Sequence, residues 1–338
     1  MWAIAAGVML GLYALPEKYT RGFEYENTWG LFFLVTMFFV PFIAAYLLLD
    51  GLKIFTLVDA DVLVKMAIAS LLWGIGIIMW GKAINHIGLS LGFSIFIGTL
   101  IFIGSLIPWF IDSAGKFAVN LPSPSVLFTI LLGLVTVLAG VVFNGKAGLE
   151  REKDDLNKSN DKGSMLSGIL IAVVGGILAT AFSYANAIGK EPFVNAAISC
   201  NLPEWKASVG VMNVIYFFGG IVAAFYFINT LTKTSRWPLF LSSKLGTNIL
   251  LILMMSLLNY TASVTFSFAA SELGPEAGGT VGYAIFNAMS VLTATSAGLI
   301  VGEWKIASFK AKRYLYLGLA AMIAGIVIIS FGNGLGVN

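Results

Sequence analysis

The residues of this chain that can do chemistry are uncharged polar side chains set into long apolar runs, because a hydroxyl or amide placed in hydrocarbon must find a partner. Between residues 247 and 270, Ser256, Asn259, Ser263 and Ser267 recur at helical spacing, and between 279 and 301 Tyr283, Asn287 and Ser290 do the same. Ser183, Tyr184 and Asn186 close another apolar run, and Asn213 with Tyr216 lie in the next. Each can be spent on a neighbouring helix. Together they offer amides, hydroxyls and rings without fixed charge, a lining that suits a neutral polyol better than a phosphate or an organic cation. A sugar lays an apolar face on an aromatic ring while amides bond its hydroxyls. Trp73, Trp80 and Tyr283 can supply that ring, and Trp73 lies closest to the middle of its run.

Fixed charge inside a bilayer marks function by default, and here Glu17, Asp50, Asp61, Lys82, Asp112, Glu272 and Glu303 all fall at the ends of runs. Glu17, following Pro16 at the end of a short run, is best placed to face a cavity. Glu303, in Gly-Glu-Trp, comes next, with an interhelical ion pair as its competing role. The single histidine, His86, falls in a hinge and reads as a solvated loop residue. One histidine and one cysteine, Cys200, supply no disulfide, multi-cysteine metal site or catalytic constellation, so no cofactor is expected and an enzyme is disfavoured.

The elements that must position these residues are membrane helices. The chain is 58% hydrophobic and 11% charged, with mean hydropathy +0.91, against about 25% charged residues in soluble domains. Continuous apolar runs at 2–15, 29–49, 62–81, 89–111, 125–143, 164–188, 207–229, 247–270, 279–301 and 313–332 predict ten spans and no β-barrel, whose strands would alternate in polarity. The first run is short. No basic stretch precedes it and no A-x-A cleavage site follows, so it reads as a span rather than a signal peptide. Trp29, Trp109, Trp205, Trp237 and Trp304 fall at run ends and are expected in the interfacial belts. The lipid bilayer is the expected partner; no basic block or arginine-aromatic pattern points to nucleic acid.

Lys and Arg number fifteen in the odd connections and five, Lys190 among them, in the even ones, which places the odd connections in the cytoplasm and both termini outside. The most polar stretch, 144–163, reads as a linker between residues 1–143 and 164–338. The two parts match each other: Gly133 and Gly140 correspond to Gly318 and Gly325 at an offset of 185, and Gly88 and Gly92 to Gly274 and Gly278 at 186. A duplicated unit of five helices must insert with opposite polarity, the architecture of many secondary transporters. Ser90, Ser94 and Gly98 form a small-residue stripe read as a surface on which the halves slide.

Residues 73–98, with W-G-I-G, Gly81, I-G-L-S-L-G and Gly98, resemble the third and fourth helices of the L-rhamnose-proton symporter family of the drug/metabolite transporter superfamily. Tyr13-Ala14, F-E-Y-E-N-T-W at 23–29, Phe182, Ser183, Asn186, Gly219-Gly220 and Glu303-Trp304 extend the likeness along the chain. The resemblance implies ten helices in a duplicated five-helix unit and sugar uptake coupled to protons. The family has polar residues where this chain has Ile77 and Met79, so the likeness carries transport further than any one sugar.

The expectation is therefore an all-α integral protein of the plasma (inner) membrane, with ten spans in two inverted repeats, moving a small neutral solute by alternating access. Tyr13, Trp73, Tyr184, Asn186, Asn259, Ser263, Tyr283, Asn287 and Ser290 are expected to bind the solute, and Glu17 and Glu303 to serve proton coupling. Export of a metabolite or drug, and a non-transporting sugar sensor, are the competing expectations.

Overall fold

The computed structural model describes residues 1–49, 51–112, 115–154, 165–241 and 244–335. Its helices are α1 (Trp2–Leu12), α2 (Tyr25–Leu48), α3 (Ala60–Ile87), α4 (Leu89–Leu106), α5 (Pro124–Asp154), α6 (Met165–Ser199), α7 (Ala207–Lys233), α8 (Leu245–Glu272), α9 (Gly278–Ile300) and α10 (Phe309–Leu335). Among the described residues nine, α2 to α10, are long and apolar enough to cross a membrane, which makes this a multi-pass membrane protein. The helix α1 has 11 residues and is followed by a 3-10 turn at Leu15–Tyr19 with Pro16 near its start.

Two helices deform where their sequence requires it. Pro41 has no N–H and its ring crowds the preceding turn, and α2 widens into a π turn at Val35–Phe39 just before it. The Pro41 carbonyl accepts a bond of 2.8 Å from the Asn213 amide of α7. In α6 the regular helix breaks at Thr180, whose hydroxyl donates to the Ile177 carbonyl at 2.6 Å.

The expected linker begins later than its polarity suggests. Residues 144–154 continue α5, because Glu, Arg and Lys are good helix formers and a helix need not stop where the bilayer does. Glu150 pairs there with Lys310 at 3.2 Å, and Arg151 with Glu303 at 3.7 Å. The rest of the expected linker, 155–163, lies outside the described residues.

The helix contacts follow a simple rule. Helix α3 packs on α6 and α7, while α8 packs on α1 and α2; α4 packs on α6, and α9 on α1. The pairs α5–α10, α4–α9 and α2–α7 also touch. Adding five to each helix number turns these contacts into one another. Local geometry repeats in the same way. Gly88 ends α3 at φ +85°, and Gly274 follows α8 at φ +85°, a conformation that costs a residue with a Cβ. Four residues beyond each, Gly92 lies against Ile84 and Gly278 against Ala270, both eight residues back.

Matched glycines also meet across the longest helix pair. A Cβ on Gly325 of α10 would lie 2.8 Å from the Val137 nitrogen and 2.9 Å from the Gly133 oxygen of α5, and one on Gly140 would lie 2.9 Å from the Gly318 oxygen. Without hydrophobic drive between helices in lipid, such backbone approach is what holds them. Gly98, the described end of the small stripe, faces Leu138 and Val141 of α5, in its own half; the side chain of Ser90 lies outside the described residues.

Gly325→Val is expected to destabilise the protein by about 1–3 kcal/mol through overpacking, read as an earlier thermal unfolding midpoint in detergent. Gly246→Ala, where nothing lies within 4 Å, should leave the midpoint in place.

Candidate functional site

Tyr216 of α7 is the centre of the buried polar chemistry. Its hydroxyl, on a side chain that is fully buried, bonds the Asn259 amide oxygen at 2.8 Å and the Ser263 hydroxyl at 2.6 Å. Asn259 and Ser263 stand four residues apart on α8 and so share one face. Tyr260 meets the Tyr216 ring edge-on at 5.2 Å. One turn along α7, Gly219 leaves room for Trp73 of α3: a Cβ there would lie 2.5 Å from the indole Cε3. The half-buried Trp73 ring is tilted against Tyr216 at 5.5 Å and Phe182 at 5.4 Å.

Ring contacts continue from Phe182 to Phe266 at 6.0 Å and from Phe266 to Tyr283 at 5.7 Å. Tyr283 is fully buried and fills the space left by Gly104 of α4. These rings, from α3, α6, α7, α8 and α9, form one aromatic layer.

A cavity lies on each side of that layer. Toward the end carrying the α1–α2, α3–α4 and α7–α8 connections, a cavity of about 470 Å³ is lined by Glu17, Tyr25, Trp29, Ile77, Trp80 and Tyr226. Toward the other end, a cavity of about 610 Å³ reaches Pro108, Asn186, Lys190, Ala270 and Gly279. In every helix that contributes both a ring and a cavity wall, the ring lies on the inner side of the wall: Trp73 before Ile77, Tyr216 before Tyr226, Phe182 before Asn186, Phe266 before Ala270, and Tyr283 after Gly279. Both volumes fall in the range of small-molecule sites, about 300–1,000 Å³.

In the smaller cavity, the Trp29 indole N–H donates to the Glu17 carboxylate at 2.6 Å. Burial raises the Glu17 pKa above its ordinary value because the charged form loses hydration, and the indole bond pulls in the opposite direction. Tyr13 belongs to the same aromatic cluster, stacked on Phe32 at 5.5 Å and edge-on to Trp29 at 6.2 Å. Trp29 is therefore a buried partner of a carboxylate, not a belt residue; Trp109 and Trp304 are buried as well, while Trp205 and Trp237 are exposed.

The two candidate coupling carboxylates have different surroundings. Glu303 is paired with Lys18 and, at 3.7 Å, with Arg151, whose guanidinium lies 4.6 Å over the Trp304 ring. It ties the turn after α1 and the end of α5 to the connection after α9. Ile77 and Met79 separate likewise: Ile77 lines the smaller cavity, while Met79 packs on Gly175 of α6.

The remaining candidates divide. Tyr184 donates to the Gly115 carbonyl at 3.1 Å. Asn287 donates to the Tyr283 carbonyl at 2.9 Å and Ser290 to the Asn287 carbonyl at 2.7 Å, so each bonds backbone within α9, which α1 covers through Gly7 and Gly11. Asn186 is buried, at 2% exposure, and its amide oxygen has no partner in the protein. Lys190, counted above as a loop residue, lies within α6 and donates to the Ala270 carbonyl at 2.8 Å. Spacing marks Tyr216 as a polar residue of the expected lining but not its pairing with Asn259, 43 residues away, and it does not mark Trp29 as a partner of Glu17, 12 residues away.

A family model described as L-rhamnose-proton symport protein (RhaT) matches residues 1–336. Proteins named L-rhamnose-proton symporter from Yersinia pestis (strain Pestoides F) and Yersinia pseudotuberculosis (serotype O:1b, strain IP 31758) are each 26% identical to this chain, over 98% of it and 96% of their own length. The chain belongs to the L-rhamnose-proton symport protein family.

Proposed function

We propose that this protein is a proton-coupled symporter of a neutral monosaccharide, acting by alternating access in the plasma (inner) membrane. The observation that carries this reading is the pair of cavities at opposite ends of the bundle, divided by a single aromatic layer. A solute that crosses the layer while one cavity closes and the other opens has been transported without a continuous pore. The relatives' names point to a sugar and a proton, and the surroundings of Glu17 fit the proton.

Two inverted units, 1–143 and 164–338, provide the motion. The exchange of helix contacts on adding five, and the facing of Gly133 with Gly325 and Gly140 with Gly318, support that duplication. The lysine- and arginine-rich end faces the cytoplasm and both termini lie outside. Sugar enters from outside, crosses at Trp73 and Tyr216, and leaves through the cavity at Glu17.

Protonation of Glu17 couples the flux. With its pKa raised, the carboxyl holds a proton at a pH where an exposed glutamate does not, and it loses that proton as pH rises. Sugar affinity is thus expected to increase as pH falls, because the protonated carboxyl both loses its burial cost and gains a donor for a sugar hydroxyl. Tyr216 holds Asn259 and Ser263 in register; Asn259, only half-buried, keeps its N–H groups for the sugar.

In proteoliposomes with an imposed pH gradient, Glu17→Gln is expected to reduce sugar accumulation by about tenfold or more while leaving equilibrium binding within about threefold and independent of pH. Unchanged gradient-driven accumulation would remove Glu17 from coupling. Tyr216→Phe should weaken sugar binding by about tenfold, equivalent to one lost hydrogen bond, with Asn259→Ala no worse in combination than alone. Additive losses in a binding isotherm would mean that the two act separately.

A further inference from the structure

The cavity of about 610 Å³ holds two groups that the helix packing does not account for. Asn186 on α6 is 98% buried yet its amide oxygen accepts from nothing in the protein, although it borders the cavity. A buried acceptor of this kind is stabilised only if something enters to bond it. One turn further along α6, on the same face, Lys190 lines the same cavity. Its ammonium is fixed by the carbonyls of Ala270 at 2.8 Å and Ser271 at 3.4 Å, at the last turn of α8. An ammonium has three donors, and two are committed to these carbonyls. A built pair of opposite character results: a fixed acceptor and a fixed donor on one wall of a cavity that is large enough for a monosaccharide.

We propose that Asn186 and Lys190 form the outward loading site for the sugar, a site that lies before the aromatic layer and is separate from the Tyr216 network. This deepens the transport reading given above and rests on it. One hydroxyl of the sugar donates to the Asn186 amide oxygen, and a neighbouring hydroxyl accepts from Lys190. Charge selects the class of ligand. The ammonium is accompanied by the carboxylates of Asp112, Glu191 and Glu204 around the same cavity, so an acidic sugar meets a net negative surround. A cationic solute is repelled by the ammonium and drawn instead to those carboxylates, away from the Asn186–Lys190 wall. A neutral polyhydroxylated solute meets neither penalty and can use both the acceptor and the donor.

Cys200, the single cysteine, lies beyond this cavity at the end of α6, which allows a clean labelling test. Ala187 shares the cavity wall. In a Cys200→Ser background, Ala187→Cys is labelled with a membrane-impermeant methanethiosulfonate in right-side-out vesicles, with and without L-rhamnose, D-galactose or D-galacturonate. The expected result is labelling from outside that at least one neutral sugar slows by about fivefold or more and that D-galacturonate leaves unchanged. Asn186→Ala should abolish the protection, and Lys190→Met should abolish it while Lys190→Arg keeps part of it. Stronger protection by the uronate than by either neutral sugar, full protection in Asn186→Ala, or labelling only from inside-out vesicles would overturn the proposal.

If Ala187→Cys fails to fold, binding isotherms of radiolabelled L-rhamnose and D-galactose to Asn186→Ala decide the matter: an affinity lost by about tenfold supports the site, and an unchanged one rejects it. The outcomes separate this site from transport itself. Sugar uptake that persists with no protection at Ala187 rejects the loading site alone, whereas protection without any pH-driven uptake leaves the loading site standing and rejects symport.

Discussion

Hydrocarbon offers no hydrogen bonds, so every polar side chain in the bundle must be satisfied by the protein or by what the protein binds. An unpaired buried polar group costs about 1–3 kcal/mol. Most of the polar residues here meet that constraint internally. Thr36 bonds Ser256 at 2.7 Å, Asn213 bonds the Pro41 carbonyl, and Tyr216 joins Asn259 to Ser263. Among the described residues the buried side-chain atoms left without a partner are those of Trp80, Ser105, Asn144, Asn186 and Thr280. Three of these five, Trp80, Asn144 and Asn186, line cavities, and Thr280 adjoins Gly279, which lines the cavity of about 610 Å³. Unmet hydrogen bonding and space for a solute coincide.

The same constraint explains the glycines. Helices in lipid gain little from burying leucine against leucine, so they hold together by close backbone approach and by the few polar ties available. The α5–α10 pair interlocks through Gly133, Gly140, Gly318 and Gly325, and α3 meets α6 and α7 through Gly76, Gly175, Gly74 and Gly219. Smooth glycine surfaces resist small displacements less than interdigitated large side chains do. Ion pairs at the basic end, Lys18–Glu303 and Arg236–Glu24 among them, add to hydrogen bonds such as Thr36–Ser256 in tying residues 1–143 to 164–338. The aromatic layer lies between the two cavities.

Much of this was legible in the sequence. The apolar runs placed the starts of the helices to within about four residues, because a span must be continuous and apolar whatever it packs against, but α5 and α6 run eleven residues beyond the ends of their runs. The glycine matches at offsets of 185 and 186 pointed to positions with equivalent geometry, since only a demanding backbone angle or a close approach excludes other residues there. The stripe of Asn259 and Ser263 was a real face. What spacing could not supply was the pairing between helices. Trp29 read as a belt tryptophan because its position near the end of a run says nothing of Glu17, and Lys190 read as a loop lysine because α6 extends beyond its most apolar part. Asn287 and Ser290 share a face, but each donates to backbone of its own helix.

The central claim, that the two cavities exchange access across one aromatic layer, is tested most directly by distances between spin labels at each end. One pair, at Tyr19 and Ile306, reports the basic end; a second, at Leu121 and Trp205, reports the other, and all four positions are exposed. Pulsed electron resonance is recorded with and without saturating sugar at low and at high pH. The account predicts that the two distance distributions shift in opposite directions, one end narrowing as the other widens. Distances that stay fixed at both ends, or that widen together, would contradict it.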